Sequence, residues 1–208
     1  MAIAFADRTE PLTVRQGEVL DAALRLLVST GDKLTMAAVA REASCSKETL
    51  YNWFGDRDGL LIATVQWQAA KVGAPKFDRA HFDAAMLRQV IEDFARDLLR
   101  VLAGDISVAL NRIAVAHAGV DKAGLGAIVL ENGRRDMGRR LKPVLEAGRG
   151  VRLLKFEDSE QAFRTFFGLV VRDTQIRLLL GDDFRPTDSE IAEDARTATA
   201  QFFQLYGV

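Results

Sequence analysis

Cysteine is almost missing from this chain of 208 residues: Cys45 stands alone, which excludes an internal disulfide framework and fits a reducing cytoplasm. Histidine occurs only at His81 and His117, and neither has a further His or Cys nearby at metal-ligand spacing. No nucleophile–histidine–acid arrangement can be built from so few, so no metal, no cofactor and no enzymatic activity are expected. A charged-then-apolar leader is lacking, and so is any apolar run long enough to span a bilayer; a cytoplasmic chain without membrane attachment is expected. An excess of positive charge is lacking too. Lys and Arg total 28 against 29 Asp and Glu, for a formal net charge of −1, so no bulk basic character points to nucleic acid.

What the chain does have is helical periodicity. Strand-length alternation of apolar and polar residues is not found, and an all-α fold of about nine helices is expected. Residues 1–12 read as a flexible arm ending at Pro11, in which Arg8 could reach a phosphate but reads better as a solvated tail residue. From Val14 a helix carries Leu20, Ala23, Leu24 and Leu27 on one face, with Gly31 as its stop signal. The break at Gly73-Ala74-Pro75 divides the chain into a domain over 13–72 and a larger helical one over 73–208.

Residues 35–61 are the most informative stretch. Thr35 suits an N-cap, and Met36, Val39, Ala40 and Ala43 keep one apolar face. Ser44-Cys45-Ser46 interrupts the pattern, and Ser46 caps a second helix with Leu50 and Phe54 inward and Lys47, Thr49 and Asn52 outward. Gly55 ends that helix and Asp56 caps the next. Two short helices joined by a tight polar turn are the layout that lays one helix into the major groove of DNA. Ser46 at the helix N-terminus offers backbone N–H groups to a phosphate. Tyr51 and Trp53 pair an apolar body with a polar tip, which suits the sugar–phosphate backbone. Glu48 could accept from a cytosine amino group or serve only the helix dipole. Charge does not help: residues 13–72 hold seven basic residues (15, 25, 33, 41, 47, 57, 71) and seven acidic ones (18, 21, 32, 42, 48, 56, 58). A helical protein–protein interaction module that has lost DNA binding therefore stands as the alternative reading.

A family resemblance rests on Arg15, Val19, Leu20, Ala22, Ala23, Leu26, Leu27 and Gly31, then Leu34-Thr35-Met36, Val39-Ala40 and Ala43, then Ser46-Lys47, Thr49-Leu50-Tyr51, Phe54, Arg57 and Leu60. In this spacing the chain resembles the TetR family of bacterial transcriptional regulators. The resemblance implies a ligand-responsive homodimeric repressor whose N-terminal helix-turn-helix domains read a palindromic operator in double-stranded DNA. A larger helical domain would then bind a small-molecule effector and dimerise. Carried over by position, Thr35, Ser46, Lys47, Thr49, Tyr51, Asn52, Trp53 and Arg57 match the family's DNA contacts. Three positions depart from the pattern: Cys45 replaces a small apolar residue, commonly valine; Trp53 replaces Tyr or His; Arg57 replaces a frequent Lys. Cys45 near a helix N-terminus could be redox-active, but a small buried core residue is the expectation.

Beyond residue 73, Leu87, Ile91, Phe94, Leu98 and Val101 line one side of a long helix. Seven of the 16 glycines fall within 119–150, a span read as a glycine-weakened helix with loops at both ends. Gly124-x-Gly126 lacks the preceding strand and third glycine of a nucleotide-binding fingerprint. Asp158 and Thr187 begin capping-box patterns. Residues 163–180 are apolar on nearly all sides and must be covered on all sides. The cover is either the rest of the chain or a partner's equivalent helices about a two-fold axis. The family resemblance favours the second, with Phe163, Phe166, Phe167, Val170 and Phe202 as dimerisation residues. Trp67, Phe94, Asn111, His117 and Gln175 are polar or aromatic residues on inward faces and are the pocket candidates. The apolar make-up of this part suggests a hydrophobic or aromatic effector.

Overall fold

A computed structural model describes residues 12–30, 34–78, 82–116, 118 and 124–208. The arm to Pro11 with Arg8, Gly31, His81 and His117 lie outside the described residues. The chain forms two compact units, Met1–Thr64 and Val65–Val208. The boundary falls inside a helix, earlier than the break at Gly73-Ala74-Pro75, because Ala69 and Val72 are buried in the second unit's core rather than exposed.

In the first unit, α1 (Val14–Thr30), α2 (Met36–Glu42), α3 (Lys47–Phe54) and the opening of α4 (Arg57–Ala69) follow one another through short turns. Val19, Leu20, Ala23, Leu24 and Leu27 of α1 are buried, as are Val39 and Ala40 of α2, Leu50 and Phe54 of α3, and Leu60 and Leu61 of α4. These are the apolar positions of the sequence pattern, so periodicity alone selected the core face.

The second unit is built from α5 (Ala84–Ala103), α6 (Asp105–Ala116), α7 (Leu125–Leu130), α8 (Asp136–Gly150), α9 (Ser159–Val171), α10 (Thr174–Leu179) and α11 (Asp188–Tyr206). α11 packs on α5 and α9, and α8 on α9. At their centre Phe166 meets Phe202 edge-on at 5.6 Å between ring centroids and Phe94 at 6.3 Å. The C-terminus is tied down by backbone pairing: Lys155 N–H donates to Tyr206 O at 2.8 Å. No β-strand occurs among the described residues; Leu154 and Gly207 form one isolated bridge. Among those residues no helix is long and apolar enough to cross a membrane.

Helical signals at 125–150 hold, but the glycines there do more than weaken a helix. α7 runs through a π-helical turn, Glu131–Arg135, straight into α8. Two of the α8 glycines are contact points: a Cβ on Gly148 would lie 2.8 Å from Leu87 Cδ2, and one on Gly138 would lie 3.0 Å from the Phe163 ring. The helix needs its smallest residue where α5 and α9 approach it.

The single apolar helix expected over 163–180 is instead two helices. Arg172 adopts φ 45, ends α9 and redirects the chain into α10. Asp158 caps α9 by accepting from Glu160 N at 3.0 Å and Gln161 N at 3.3 Å, and Thr187 with Glu190 completes a capping box on α11. The break also corrects the dimerisation residues. Phe163, Phe166 and Phe202 have 0% of their surface exposed and Val170 only 2%, all within this one chain. A side chain with no surface on its own subunit has nothing to offer a partner; α5, α8 and α11 already cover the apolar sides of α9. Phe167 is half-buried beside a cavity described below.

Phe166→Ala is expected to destabilise the chain by about 3–5 kcal/mol, the usual result of truncating a buried phenylalanine. Urea denaturation followed by circular dichroism checks this; an unchanged midpoint would mean the centre of the unit lies elsewhere.

Candidate nucleic-acid interface and buried cavity

The turn between α2 and α3 is closed from several sides. Thr35 caps α2, its Oγ1 accepting from Ala38 N at 3.1 Å, and Ser46 caps α3, its Oγ accepting from Thr49 N at 3.0 Å. Ser44 takes the left-handed conformation, φ 49, and Cys45 N–H donates to Ala40 O at 2.9 Å. The C-terminal carbonyls of α2 are met from α1: the Arg15 guanidinium donates to Ala43 O, and to Ser44 O at 3.3 Å. A cation at a helix C-terminus is favoured by the dipole as well as by the hydrogen bonds. Cys45 is half-buried, not fully enclosed, because it sits in this turn rather than on a helix's inner face.

With the turn fixed, α3 has two distinct faces. Leu50 and Phe54 are buried, whereas Lys47, Glu48, Tyr51 and Asn52 are exposed on the other side. Ser46 and Thr35 are exposed at their helix starts, and Thr49 is half-buried, its hydroxyl 2.8 Å from Ser46 Oγ. Trp53 is half-buried too and packs edge-on to Phe54, with ring centroids 6.1 Å apart. Arg57 is drawn inward: its Nε donates to Leu34 O at 2.9 Å and so anchors the segment that leads into α2. That contact gives Arg57 a structural task alongside its place near α3.

Neutral composition still leaves individual ions unpaired near the turn. Arg15 pairs with Glu18 at 2.6 Å, Arg25 with Glu42 at 4.0 Å and Arg57 with Asp58 at 3.3 Å. Asp56 accepts from Gly59 N at 2.8 Å at the start of α4. Lys47 and Arg41 are exposed and have no acidic partner among the described residues. Among the described residues, internal pairing thus leaves two cations near the turn, one on each helix, with the exposed carboxylate of Glu48 next to Lys47. Surface pairs of this kind contribute little stability, but they decide which charges remain available.

Sequence reading missed three contributors. Arg15 acts over 28 positions in sequence, a distance no local pattern reports. Arg41 was counted only as charge. Gly59 is required by close approach: a Cβ there would lie 2.1 Å from Phe54 O. A glycine in an otherwise apolar helical stretch was the available signal.

The second unit carries a partly open cavity of about 480 Å³, a size typical of small-molecule sites. Its lining is mostly aliphatic, from α4, α5, α6 and the α7–α8 rod. Of the five pocket candidates, Asn111 and Gln175 line it and Trp67 and Phe94 do not; Phe94 faces Phe166 in the core. His117 lies outside the described residues. Gln68, Ser107 and Arg134 line the cavity and were not anticipated. Gln68 Nε2 donates to Ser107 Oγ at 3.1 Å, while Gln68 Oε1 is buried without a partner. Such an orphaned acceptor costs about 1–3 kcal/mol. The π-helical turn borders the same space: Asn132 donates to Ile128 O at 3.0 Å and accepts from Gln66 of α4 at 3.0 Å. Among the described residues no group of His, Cys, Asp and Glu is placed to hold a metal ion.

Gly59→Ala is expected to cost about 1–3 kcal/mol, as overpacking against a backbone carbonyl does. Thermal unfolding of the variant against wild type checks this, and an equal Tm would show that the α3–α4 turn relaxes freely.

Comparisons with known proteins match both units. Residues 19–64 match the family described as bacterial regulatory proteins, tetR family, and residues 89–208 match the C-terminal domain of AefR-like transcriptional repressors. A TetR transcriptional regulator from Agrobacterium tumefaciens is similar over 95% of this chain and 96% of its own, at 48% identity and a TM-score of 0.79. The flavonoid-responsive regulator FrrA is similar over 93% of this chain and 97% of its own, at 26% identity and a TM-score of 0.67. The HTH-type transcriptional regulator BetI of Paraburkholderia phytofirmans is 40% identical over 63 residues, covering 27% of this chain and 32% of BetI. The chain thus spans about a third of the curated relatives' length. The C-terminal match alone takes in more than half of the chain, and both matches agree with the helix-turn-helix and helical second unit: the chain belongs to the TetR family of bacterial regulatory proteins.

Proposed function

We propose that the chain is a homodimeric transcriptional repressor, working in the cytoplasm, that holds a palindromic operator through α3 and releases it when a small molecule occupies the cavity of the second unit. The observation that carries this reading is the exposed face of α3, where Lys47, Tyr51 and Asn52 stand opposite the buried Leu50 and Phe54. Ser46 and Thr35 add helix N-termini for phosphates, and Arg41 and Lys47 supply positive charge that no acidic group among the described residues pairs with. In this arrangement phosphate contacts position the helix and Lys47, Thr49 and Asn52 meet base edges. Two copies of α3 would enter successive major grooves about 34–36 Å apart.

Release follows as a population shift. The unit boundary falls inside α4, so residues of one helix belong to both units. Val65, Gln68 and Ala69 of α4 line the cavity. A ligand that binds better to one placement of these residues favours that placement, and the operator affinity changes by the same differential. The relative named as flavonoid-responsive supports a small-molecule trigger. For dimerisation the exposed sides of α9 and α11 are available, with Arg164 and Gly168 on the first and Gln201, Gln204 and Leu205 on the second; these replace the buried phenylalanines as contact residues.

Gel shifts with the chain's own upstream DNA test the reading. Lys47→Ala is expected to weaken binding and to reduce the salt slope by about 1 per subunit. Tyr51→Ala should weaken binding with a smaller change in slope. If both variants bind as wild type does, α3 is not the reading helix.

A further inference from the structure

The cavity holds one charged side chain among its described lining residues, Arg134, and that charge is already taken. Arg134 Nη1 donates to Glu160 Oε1 at 3.1 Å, while Lys142 Nζ holds the other Glu160 oxygen at 3.1 Å. The guanidinium lies over the rings of Phe163 and Phe167, its carbon 5.1 and 5.7 Å from their centroids. The Arg134 hydrogen bond, followed by Lys142, holds the Glu160 carboxyl below its ordinary value of 4.5. A carboxyl whose folded value is depressed keeps its pairing above that value and loses it only as pH falls through it, so the pair is intact near neutrality.

The uncharged polar groups around the cavity are in a different condition. Asn111 Nδ2 is used on Ser107 O at 2.8 Å, leaving its Oδ1 without a partner among the described residues. Gln175 also lines the cavity, and its amide makes no hydrogen bond among the described residues. The cavity therefore offers neutral donors and acceptors and withholds its cation. An incoming carboxylate would have to displace Glu160 or sit beside it, two anions on one guanidinium. An incoming ammonium would meet no carboxylate among the described lining residues and would be desolvated without compensation.

We propose that this cavity takes an uncharged, mainly apolar molecule bearing a hydroxyl, which Asn111 and Gln175 hydrogen-bond, and that the Glu160–Arg134 pair excludes organic acids of the same shape. The proposal rests on the reading of the cavity as the effector site. Glu160 acts through Arg134, so it is a specificity residue that need not touch the ligand.

The test uses the full chain near neutral pH with Nile red, a neutral dye, as the reporter of cavity occupancy. Two matched sets compete with it: decanol, decanoic acid and decylamine; and propylphenol, propylbenzoic acid and propylbenzylamine. In at least one set the hydroxyl compound is expected to displace the dye at concentrations about tenfold or more below those of the acid and amine. Acid or amine displacing as well as the hydroxyl compound, or no compound displacing the dye, overturns the proposal. Glu160→Gln should raise the affinity of the acid about tenfold and leave the hydroxyl compound unchanged. An acid that gains nothing overturns the exclusion by the ion pair. Adding Arg134→Gln to Glu160→Gln is the second variant: it removes the freed guanidinium and should return the acid to its wild-type affinity, and an acid gain that survives it overturns the proposal. Operator retention, measured in the same samples, separates this from the repressor reading. A hydroxyl compound that fills the cavity without loosening DNA supports the ligand class and refutes the responsive repressor; an acid preference that loosens DNA does the reverse.

Discussion

What the first unit can do depends on one tight turn. Four residues from Ala43 to Ser46 must reverse the chain steeply enough for α3 to leave its polar side uncovered while Leu50 and Phe54 reach the core. A left-handed Ser44, the Ser46 cap and the Arg15 guanidinium on the α2 carbonyls together define that geometry. Each device satisfies a backbone group that a helix end would otherwise leave orphaned. Because Arg15 comes from α1, the helix that buries Val19, Leu20, Leu24 and Leu27 in the core also fixes the turn that leads into α3.

Charge is the second constraint. A unit without net positive charge cannot rely on bulk attraction to a polyanion. Pairing of Arg15, Arg25 and Arg57 with acidic neighbours leaves Arg41 and Lys47, with Glu48 beside the latter, as the ions at the turn, so individual placed charges rather than a sum decide what the turn offers. The second unit uses pairing in the opposite sense. There Glu160 pairs with Arg134 at the edge of an apolar cavity, with Lys142 on its other oxygen, so the one charged side chain among the described lining residues is already paired. In both places what matters is which ion is left over.

The sequence made the local signals legible. Helix faces, the caps at Thr35, Ser46, Asp158 and Thr187, and the exposure of Lys47, Tyr51 and Asn52 all follow from periodicity and side-chain chemistry within a few residues. Contacts remote in sequence were hidden. Nothing near Arg15 announces Ala43, and no Gly or Pro stands at the break itself: Gly168 lies inside α9, and Arg172 takes the left-handed conformation without either. That missing punctuation made the run look like one helix apolar all round, when α5, α8 and α11 cover the apolar sides of α9 and leave Arg164 and Gly168 exposed. At the π-helical turn Glu131–Arg135, Asn132-Gly133 signals a weak point in the helix but not which irregularity it takes. Of the cavity, Asn111 and Gln175 were found because polar residues on inward faces are rare; Gln68 and Arg134 were not, because their partners lie on other helices.

The central claim is that α3 reads sequence as part of a symmetric pair. Selection of DNA from a random pool by the full chain, followed by sequencing, tests it most directly. Two inverted half-sites with centres about one helical turn apart, or a multiple of it, are the predicted outcome. Enrichment of no sequence, or of a single half-site without its inverted mate, would contradict the account.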